Sequence, residues 1–279
     1  MTWPLWVGGA LLLLGLLYWL FILTEGAYLG RRVVTWMYDV YAKRYDGIKQ
    51  FDPRDESWFL GEPLTRALLE IPCPLVLDVA TGTARLPLAL LTQPKFGGRV
   101  VGLDLSRRML RQAAAKTASY HDRLTLLWQD ADRLPFPDAS FDAVSCLEAL
   151  EFLPHPHAAL AEMVRVLRSG GILLVSNRTG SGARWLPGRA LDREAFTVLL
   201  ASLGLEAVRV NIWQVDYDIA WARKPGSAIH AAPATLPALL CCPHCGHGPL
   251  ERQERAFGCA LCGRRYPIAT DGVIEMEES

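Results

Sequence analysis

The chain has 279 residues, with 29 basic side chains balanced by 29 acidic ones, and 51% of it is hydrophobic. Zero formal charge and a sequence pI of about 7.0 exclude a global electrostatic pull toward nucleic acid, so an RNA ligand would need a local basic patch, and none dominates. The length allows one α/β domain plus a small appendage.

The first element is the run Pro4 to Leu23, PLWVGGALLLLGLLYWLFIL, which carries no charge. As a helix of about 20 residues it spans about 30 Å, the thickness of a bilayer core. Trp3, Trp6, Tyr18 and Trp19 sit toward its two ends, where interfacial aromatics belong. A cleaved signal peptide would want basic residues before the run and a small-x-small site after it, and neither is evident. Residues 1–25 therefore read as an uncleaved transmembrane anchor. Arg31, Arg32, Lys43 and Arg44 follow the span and no Lys or Arg precedes it, which places the rest of the chain in the cytoplasm. The next stretch, GAYLGRRVVTWMYDVYAKRYD, mixes aromatic, aliphatic and basic residues. It reads equally as a helix lying on the membrane surface or as one packed on the following domain.

In LVLDVATGTARLPLAL an apolar strand ends at Asp78, turns through Ala80, Thr81, Gly82 and Thr83, and opens into a helix. Such a turn needs a residue that tolerates close approach and positive φ, which Gly82 supplies. Positions 80, 82 and 85 read Ala, Gly, Arg, so the glycine pattern of a pyrophosphate cradle is missing. Asp104 closes a second strand, VVGLD, and Asp130 a third, LTLLWQD. The first can accept hydrogen bonds from both hydroxyls of a ribose. The second can accept from an adenine amino group while the amide of Ala131 faces the ring. Asp78 could hold loop amides or face a cationic sulfonium through water. Leu105 and Leu147, beside the second and fourth strand ends, complete the expected lining. Any one aspartate could simply cap the next helix, but three in register on successive strands point to S-adenosylmethionine, which has no phosphate to cradle.

Strands are predicted near 75–79, 99–104, 124–129, 141–147 and 171–176, separated by amphipathic helices, as in βαβ units. A helix ending at Gly204 and two strand-like runs, 206–213 and 217–223, follow. The expected fold is α/β: a Rossmann-like, mainly parallel seven-stranded sheet with helices on both faces. The segment 176–192, rich in Gly, Arg and Trp, is expected to form the substrate-side loop. Methyl transfer is an in-line displacement in which the protein mainly aligns and desolvates the reactants, with a general base assisting. No catalytic residue stands out: Glu148 and Glu151 after the fourth strand, His155, His157 and Tyr217 are candidates, although a glutamate there could equally cap a helix. Cys73 and Cys146 are expected in the core.

A Pro/Ala-rich linker over 224–239 precedes Cys242-Pro-His-Cys245 and Cys259-Ala-Leu-Cys262. Two such knuckles can converge four thiolates on a structural Zn²⁺. In a reducing cytoplasm a module of about 40 residues would need that staple to fold. Cys241 could exchange with Cys242, and His244 and His247 are weaker ligands.

The motifs LVLDVATGTA, VVGLDLSRRML, QDADRLPFPDASFDAV and LEFLPHPHAALAEMVRVLRSGGILLVS, from Val76 to Ser176, resemble in order and spacing the class I methyltransferases of ubiquinone and menaquinone biosynthesis. The resemblance implies a domain over 26–223 and makes Tyr45, the last tyrosine of YDVYAKRYD, a residue that closes over the cofactor. One departure is Ala84, where the family usually has glycine. The end of the chain, 240–279, resembles the small zinc-ribbon activator of tRNA and protein methyltransferases, here fused in cis, which implies a stabilising or partner-presenting role. The expectation is a membrane-anchored methyltransferase for a lipophilic small molecule, a quinone precursor or lipid. The alternatives are an enzyme acting on RNA or a translation protein, and a scaffold with a degenerate pocket.

Overall fold

A computed structural model describes residues 3–227 and 235–277; the middle of the expected linker, 228–234, lies outside the described residues. Helix α1 (Trp3–Tyr18) runs on through a π-helical turn, Trp19–Leu23. The window Trp6–Leu23 is long and apolar enough to cross a membrane, with mean hydropathy 2.2 and no buried residue. The helix stops where Glu25 and Gly26 take positive φ, 49° and 77°. A Cβ on Gly26 would stand 2.9 Å from Met37 Sδ, so this turn is wedged against the next helix.

That helix, α2 (Arg31–Tyr41), packs on the domain against α7. Asp39 accepts from Ser106 Oγ at 2.6 Å, while Trp36, Val40 and Tyr41 stay exposed. Short helices α3 (Tyr45–Lys49), α4 (Pro53–Glu56) and α5 (Glu62–Ala67) lead into the sheet. Asp52 caps α4 by accepting from the Arg54 amide at 2.8 Å.

The large sheet contains β1 (Leu75–Val79), β2 (Arg99–Asp104), β3 (Leu124–Trp128), β4 (Phe141–Cys146), β5 (Leu167–Arg178), β6 (Glu206–Gln214) and β7 (Tyr217–Arg223). Its order is β11-β3-β2-β1-β4-β5-β7-β6. Neighbours from β3 to β5 run parallel, whereas β7 is antiparallel to β5 and β6 to β7. Helices α6 (Arg85–Leu91), α7 (Arg107–Lys116) and α8 (Pro156–Val166) connect the parallel strands; α9 (Gly180–Ala183) and α10 (Arg193–Ser202) follow β5. Side-chain alternation divides β1 between two cores, Leu75, Leu77 and Val79 on one face and Val76 on the other. Burial on both faces is why the parallel strands read as continuous apolar runs.

All seven predicted strands are present, with two corrections. The fifth strand begins at Leu167 rather than near 171 and takes in Arg168 to Gly171: its register against β4 jumps from Phe141↔Leu167 to Ala143↔Ile172, and Gly170 at φ 74° accommodates the irregularity. There is also an eighth strand. The C-terminal module places α11 (Leu236–Leu239) ahead of a three-stranded sheet of β8 (Glu251–Gln253), β9 (Ala256–Gly258) and β10 (Arg265–Pro267). Then β11 (Ile274–Glu275) joins β3 in parallel. Leu240, Leu250, Phe257, Tyr266 and Met276 share one core with Leu127, Leu134 and Phe136. The module is thus seated on the α/β domain through both backbone and apolar contacts. Cys146 is buried as expected; Cys73 is exposed, in the turn before β1 at φ 56°.

Candidate active site

The loop after β1 holds Ala80, Gly82 and Ala84 at φ 56°, 55° and 67°. Two of these are alanines in the left-handed region, a strain that persists only where surrounding contacts impose it. Here the Thr81 amide donates to Leu103 O at 2.9 Å and the Gly82 amide to Asp104 Oδ2 at 2.7 Å. Asp104 also accepts from the Ser106 amide at 2.7 Å. Burial nevertheless pushes its carboxyl up to about 6, against those amides. Asp78 is buried and does not take loop amides. Its two oxygens accept from Thr81 Oγ1 and Ser145 Oγ, each at 2.7 Å, and burial raises it to about 6.

Two adjoining cavities open above this loop. One, of about 120 Å³, is bordered by Tyr45, Ala80, Gly82, Asp104, Leu105, Asp130, Ala131 and Leu147. A smaller one, of about 30 Å³, is bordered by Tyr45, Asp78, Ala80, Thr81, Gly82, Thr83 and Leu147. Every residue expected to contact the cofactor therefore borders one or both. Asp130 is already engaged: Arg31 forms an ion pair with Oδ2 and the Asp132 amide donates to Oδ1 at 3.0 Å. Arg31, Tyr38, Met109, Gln129 and Phe152 also line the larger cavity and were not anticipated. Only Tyr38 had a signal, its place in the aromatic run that ends at Tyr45.

A third cavity, of about 470 Å³, lies alongside. Glu148 borders all three, at φ 52°. Lys49 Nζ meets its carboxylate at 2.8 Å and Arg85 pairs with its other oxygen. Arg85 also grips both oxygens of Glu56, at 2.5 and 2.8 Å, and stacks over Phe51, 4.0 Å from the ring centre. Burial alone would raise Glu148, but these two cations outweigh it and hold its carboxyl below the usual range. The segment expected to form the substrate loop, 176–192, contributes only Arg178 to this cavity's lining. The rest comes from Glu25, from positions 48–59, from Arg85 and Glu148, and from 213–217 of the β6–β7 hairpin. The remainder of 176–192 packs elsewhere: Tyr28 Oη donates to Pro187 O at 2.8 Å.

The base candidates separate in space. His155 and His157 are exposed at the start of α8. Glu148 is locked between two cations. Glu151 is fully buried and accepts from Tyr217 Oη at 2.5 Å.

In the C-terminal module the sulfurs of Cys242, Cys245, Cys259 and Cys262 all lie within 4.8 Å of one another. The Cys242–Cys262 and Cys245–Cys259 separations are 3.6 and 3.5 Å. A tetrahedron with Zn–S bonds of about 2.3 Å has edges of about 3.8 Å, so the donor set fits zinc. Tyr266 Oη lies 2.9 Å from Cys242 Sγ, whereas Cys241, His244 and His247 are not members of the cluster.

Residues 77–175 match the sequence profile of a family described as a methyltransferase domain. The chain is 43% identical over 98 residues to a demethylmenaquinone methyltransferase of Staphylococcus epidermidis, covering 35% of this chain and 40% of the relative. It is 37% identical over 133 residues to the ubiquinone/menaquinone biosynthesis C-methyltransferase UbiE of Nitrosospira multiformis, covering 47% and 53%. The chain thus spans about half, or less, of the length of the curated relatives it matches. A crystallised SAM-dependent methyltransferase from Aquifex aeolicus superposes with a TM-score of 0.52 at 20% identity, over 66% of this chain and 97% of that one, a likeness of fold. Residues 77–175 are thus similar in sequence to a methyltransferase domain, and the sheet around them has the Rossmann-like α/β fold that the Aquifex aeolicus protein also has.

Proposed function

We propose that the protein is a membrane-anchored, S-adenosylmethionine-dependent methyltransferase acting on a lipophilic small molecule, a quinone precursor or lipid, with its catalytic domain on the cytoplasmic side. One observation carries this reading. The cofactor-type cavities and the third cavity meet at Glu148, and that third cavity is bordered by Glu25, two residues after the apolar helix ends. A substrate leaving a bilayer along α1 would therefore have a short path to the reaction centre. Ile48, Phe59 and Val215 are exposed apolar residues on a cavity border that is otherwise largely charged.

The cofactor supplies an electrophilic methyl on a sulfonium. In this assignment Asp104 accepts from the ribose hydroxyls, Asp130 and the Ala131 amide face the adenine, and Tyr45 closes over the site. Asp78 braces the loop from beneath, through Thr81. Lys49 and Arg85 fix the Glu148 carboxylate where the two compartments join, so a negative charge faces the place where a cationic donor meets its acceptor. The acceptor is aligned in the third cavity.

The four cysteines would hold a structural zinc. All four ligand positions are filled by protein, which leaves none open for chemistry. The shared core and the β3–β11 pairing support an action in cis, stabilising the methyltransferase domain.

The test is calorimetric titration of S-adenosylmethionine into the full chain in detergent, beside Asp104→Ala. Micromolar binding that the variant loses is expected. A folded wild-type protein that takes up no cofactor would sink the reading and leave a scaffold.

A further inference from the structure

We infer that the outer face of α2 is a docking surface for the anionic leaflet into which α1 inserts, so that the helix lining the larger cavity has a bilayer on its other side. This goes beyond the anchored reading given above and rests on its apolar span.

Helix α2 has two unlike faces. Arg31, Val34, Thr35 and Tyr38 recur at three- and four-residue spacing and line the larger cavity. Arg32, Trp36 and Val40 recur at four-residue spacing on the opposite side and are exposed. Trp36 is 60% exposed and Val40 53%, although the other face is already covered by the domain. Apolar side chains in a row, rimmed by polar ones, mark an interaction surface rather than scattered exposure. Tryptophan, with an apolar body and one N–H, suits the headgroup boundary of a bilayer.

Charge points to the same occupant. Arg32, Lys43, Arg44 and Arg108 are exposed and make no ion pair among the described residues. Arg108 belongs to this face because its amide donates to Asp39 of α2 at 3.2 Å. The nearby acids are engaged elsewhere: Asp39 accepts from Ser106 Oγ, Asp46 pairs with Lys116 at 2.7 Å, and Glu25 lies 3.5 Å from Arg178. What α2 presents outward is an apolar stripe flanked by uncompensated positive charge, the two features by which a helix lies on anionic lipid.

The short tether brings that lipid within reach. Only the stretch from Thr24 to Gly30 separates the end of the apolar span from α2, and fully extended it would reach about 25 Å. It is folded tighter than that, with the Ala27 amide donating to Thr24 O and the Leu29 amide to Gly26 O. Gly26 faces Met37 and Val33, which lie between the two faces of α2. The end of the anchor therefore abuts α2, and a bilayer that holds α1 as far as Leu23 has its headgroups close to the stripe of Arg32, Trp36 and Val40.

The experiment uses the full chain in phosphatidylcholine vesicles, with or without phosphatidylglycerol. A photoactivatable benzoylphenylalanine replaces in turn Leu12 in α1, Trp36, or the exposed Val198 of α10, and lipid adducts are counted by mass spectrometry after irradiation. Adducts are expected at Leu12 in both kinds of vesicle, and at Trp36 far more than at Val198 when phosphatidylglycerol is present. Arg32→Gln with Lys43→Gln should lower the Trp36 adduct by about fivefold or more in those vesicles and leave the Leu12 adduct unchanged. Labelling at Trp36 no stronger than at Val198, with Leu12 still reaching lipid, would overturn the docking surface while leaving the anchor. Crosslinks from Trp36 to protein would assign this face to a second copy or another chain and overturn it equally. Labelling at Trp36 that ignores both phosphatidylglycerol and the two substitutions would overturn the preference for anionic lipid. Chains that reach lipid at neither Leu12 nor Trp36 would instead overturn the anchored reading itself.

Discussion

Arg107, at the start of α7, holds both carboxylate oxygens of Asp271 in the C-terminal module, Nη1 to Oδ2 at 2.8 Å and Nη2 to Oδ1 at 2.9 Å. Its Nε reaches Glu275 at 3.0 Å, on the strand that extends the large sheet. One guanidinium thus ties together the helix that follows Asp104 and the strand that borders β3.

Arg107→Ala should lower stability by about 1 kcal/mol, because the pair is bidentate but partly solvated. Hydrogen exchange at Ile274 and Glu275 should speed up more than at β1. Burial would raise Asp271, yet the Arg107 hydrogen bonds and charge outweigh it and hold the carboxyl below its ordinary value. With the folded value below the unfolded one, this contribution is present above a pH of about 4 and is lost as pH falls through the folded value. Exchange in β11 that is unchanged by the substitution would refute the clamp.

Metal analysis should find one zinc per chain, and Cys259→Ser or a strong chelator should remove it. Since Leu240, Phe257 and Tyr266 pack with Leu134 and Phe136, removal should lower the melting midpoint of the whole chain. Two independent transitions, with the larger one unmoved, would show that the module does not support the domain.

If Asp104 holds the ribose as proposed, cofactor affinity should fall as the medium is acidified below about 6, where its carboxyl takes up a proton. The decline approaches about tenfold per pH unit if the neutral form does not bind. Stability has the opposite sign. A carboxyl raised in the folded state takes up its proton more readily there than in the unfolded chain. Its contribution therefore favours the apo fold increasingly as pH falls from about 6 toward the unfolded value of about 4. Asp104→Asn should weaken the pH dependence of both calorimetric affinity and apo melting; Asp78, also raised to about 6, is among the groups that contribute to what persists.

Gly61→Ala should destabilise by about 1–3 kcal/mol. A Cβ at this position would stand 2.2 Å from Ala89 O, forcing the π-helical turn Ser57–Gly61 away from α6. Gly82→Ala is the contrast, since nothing lies within 4 Å of its Cβ but φ is +55°. It should cost about 1–2 kcal/mol through backbone strain, and it also adds bulk at the cofactor cavity. A normal melting midpoint for Gly61→Ala would show that the turn can move away without cost.

The site was legible where chemistry follows local order. Asp78, Asp104 and Asp130 each end an apolar strand, and a parallel sheet aligns such ends on one edge, so their convergence was readable from spacing. The cysteine knuckles were readable for the same reason, with ligands close in sequence and a metal geometry that constrains them. The early start of β5 was not legible, because Arg168, Ser169, Gly170 and Gly171 are residue types that favour turns yet here serve a strand irregularity. Nor was β11, whose pairing with β3 runs through backbone groups that carry no residue signature.

By itself the sequence determined the βαβ repeat, the cofactor edge, the apolar span and the four-thiol cluster, since each is set by periodicity or by short-range spacing. Only the tertiary structure decided the roles of residues that look alike in the chain. Glu148 and Glu151 follow the same strand, yet one lies between Lys49 and Arg85 and the other is buried against Tyr217. Their partners come from α3, α6 and β7, distant in sequence. A carboxyl's proton affinity depends on the charges and solvent within a few ångströms of it, and those neighbours exist only once the chain has folded.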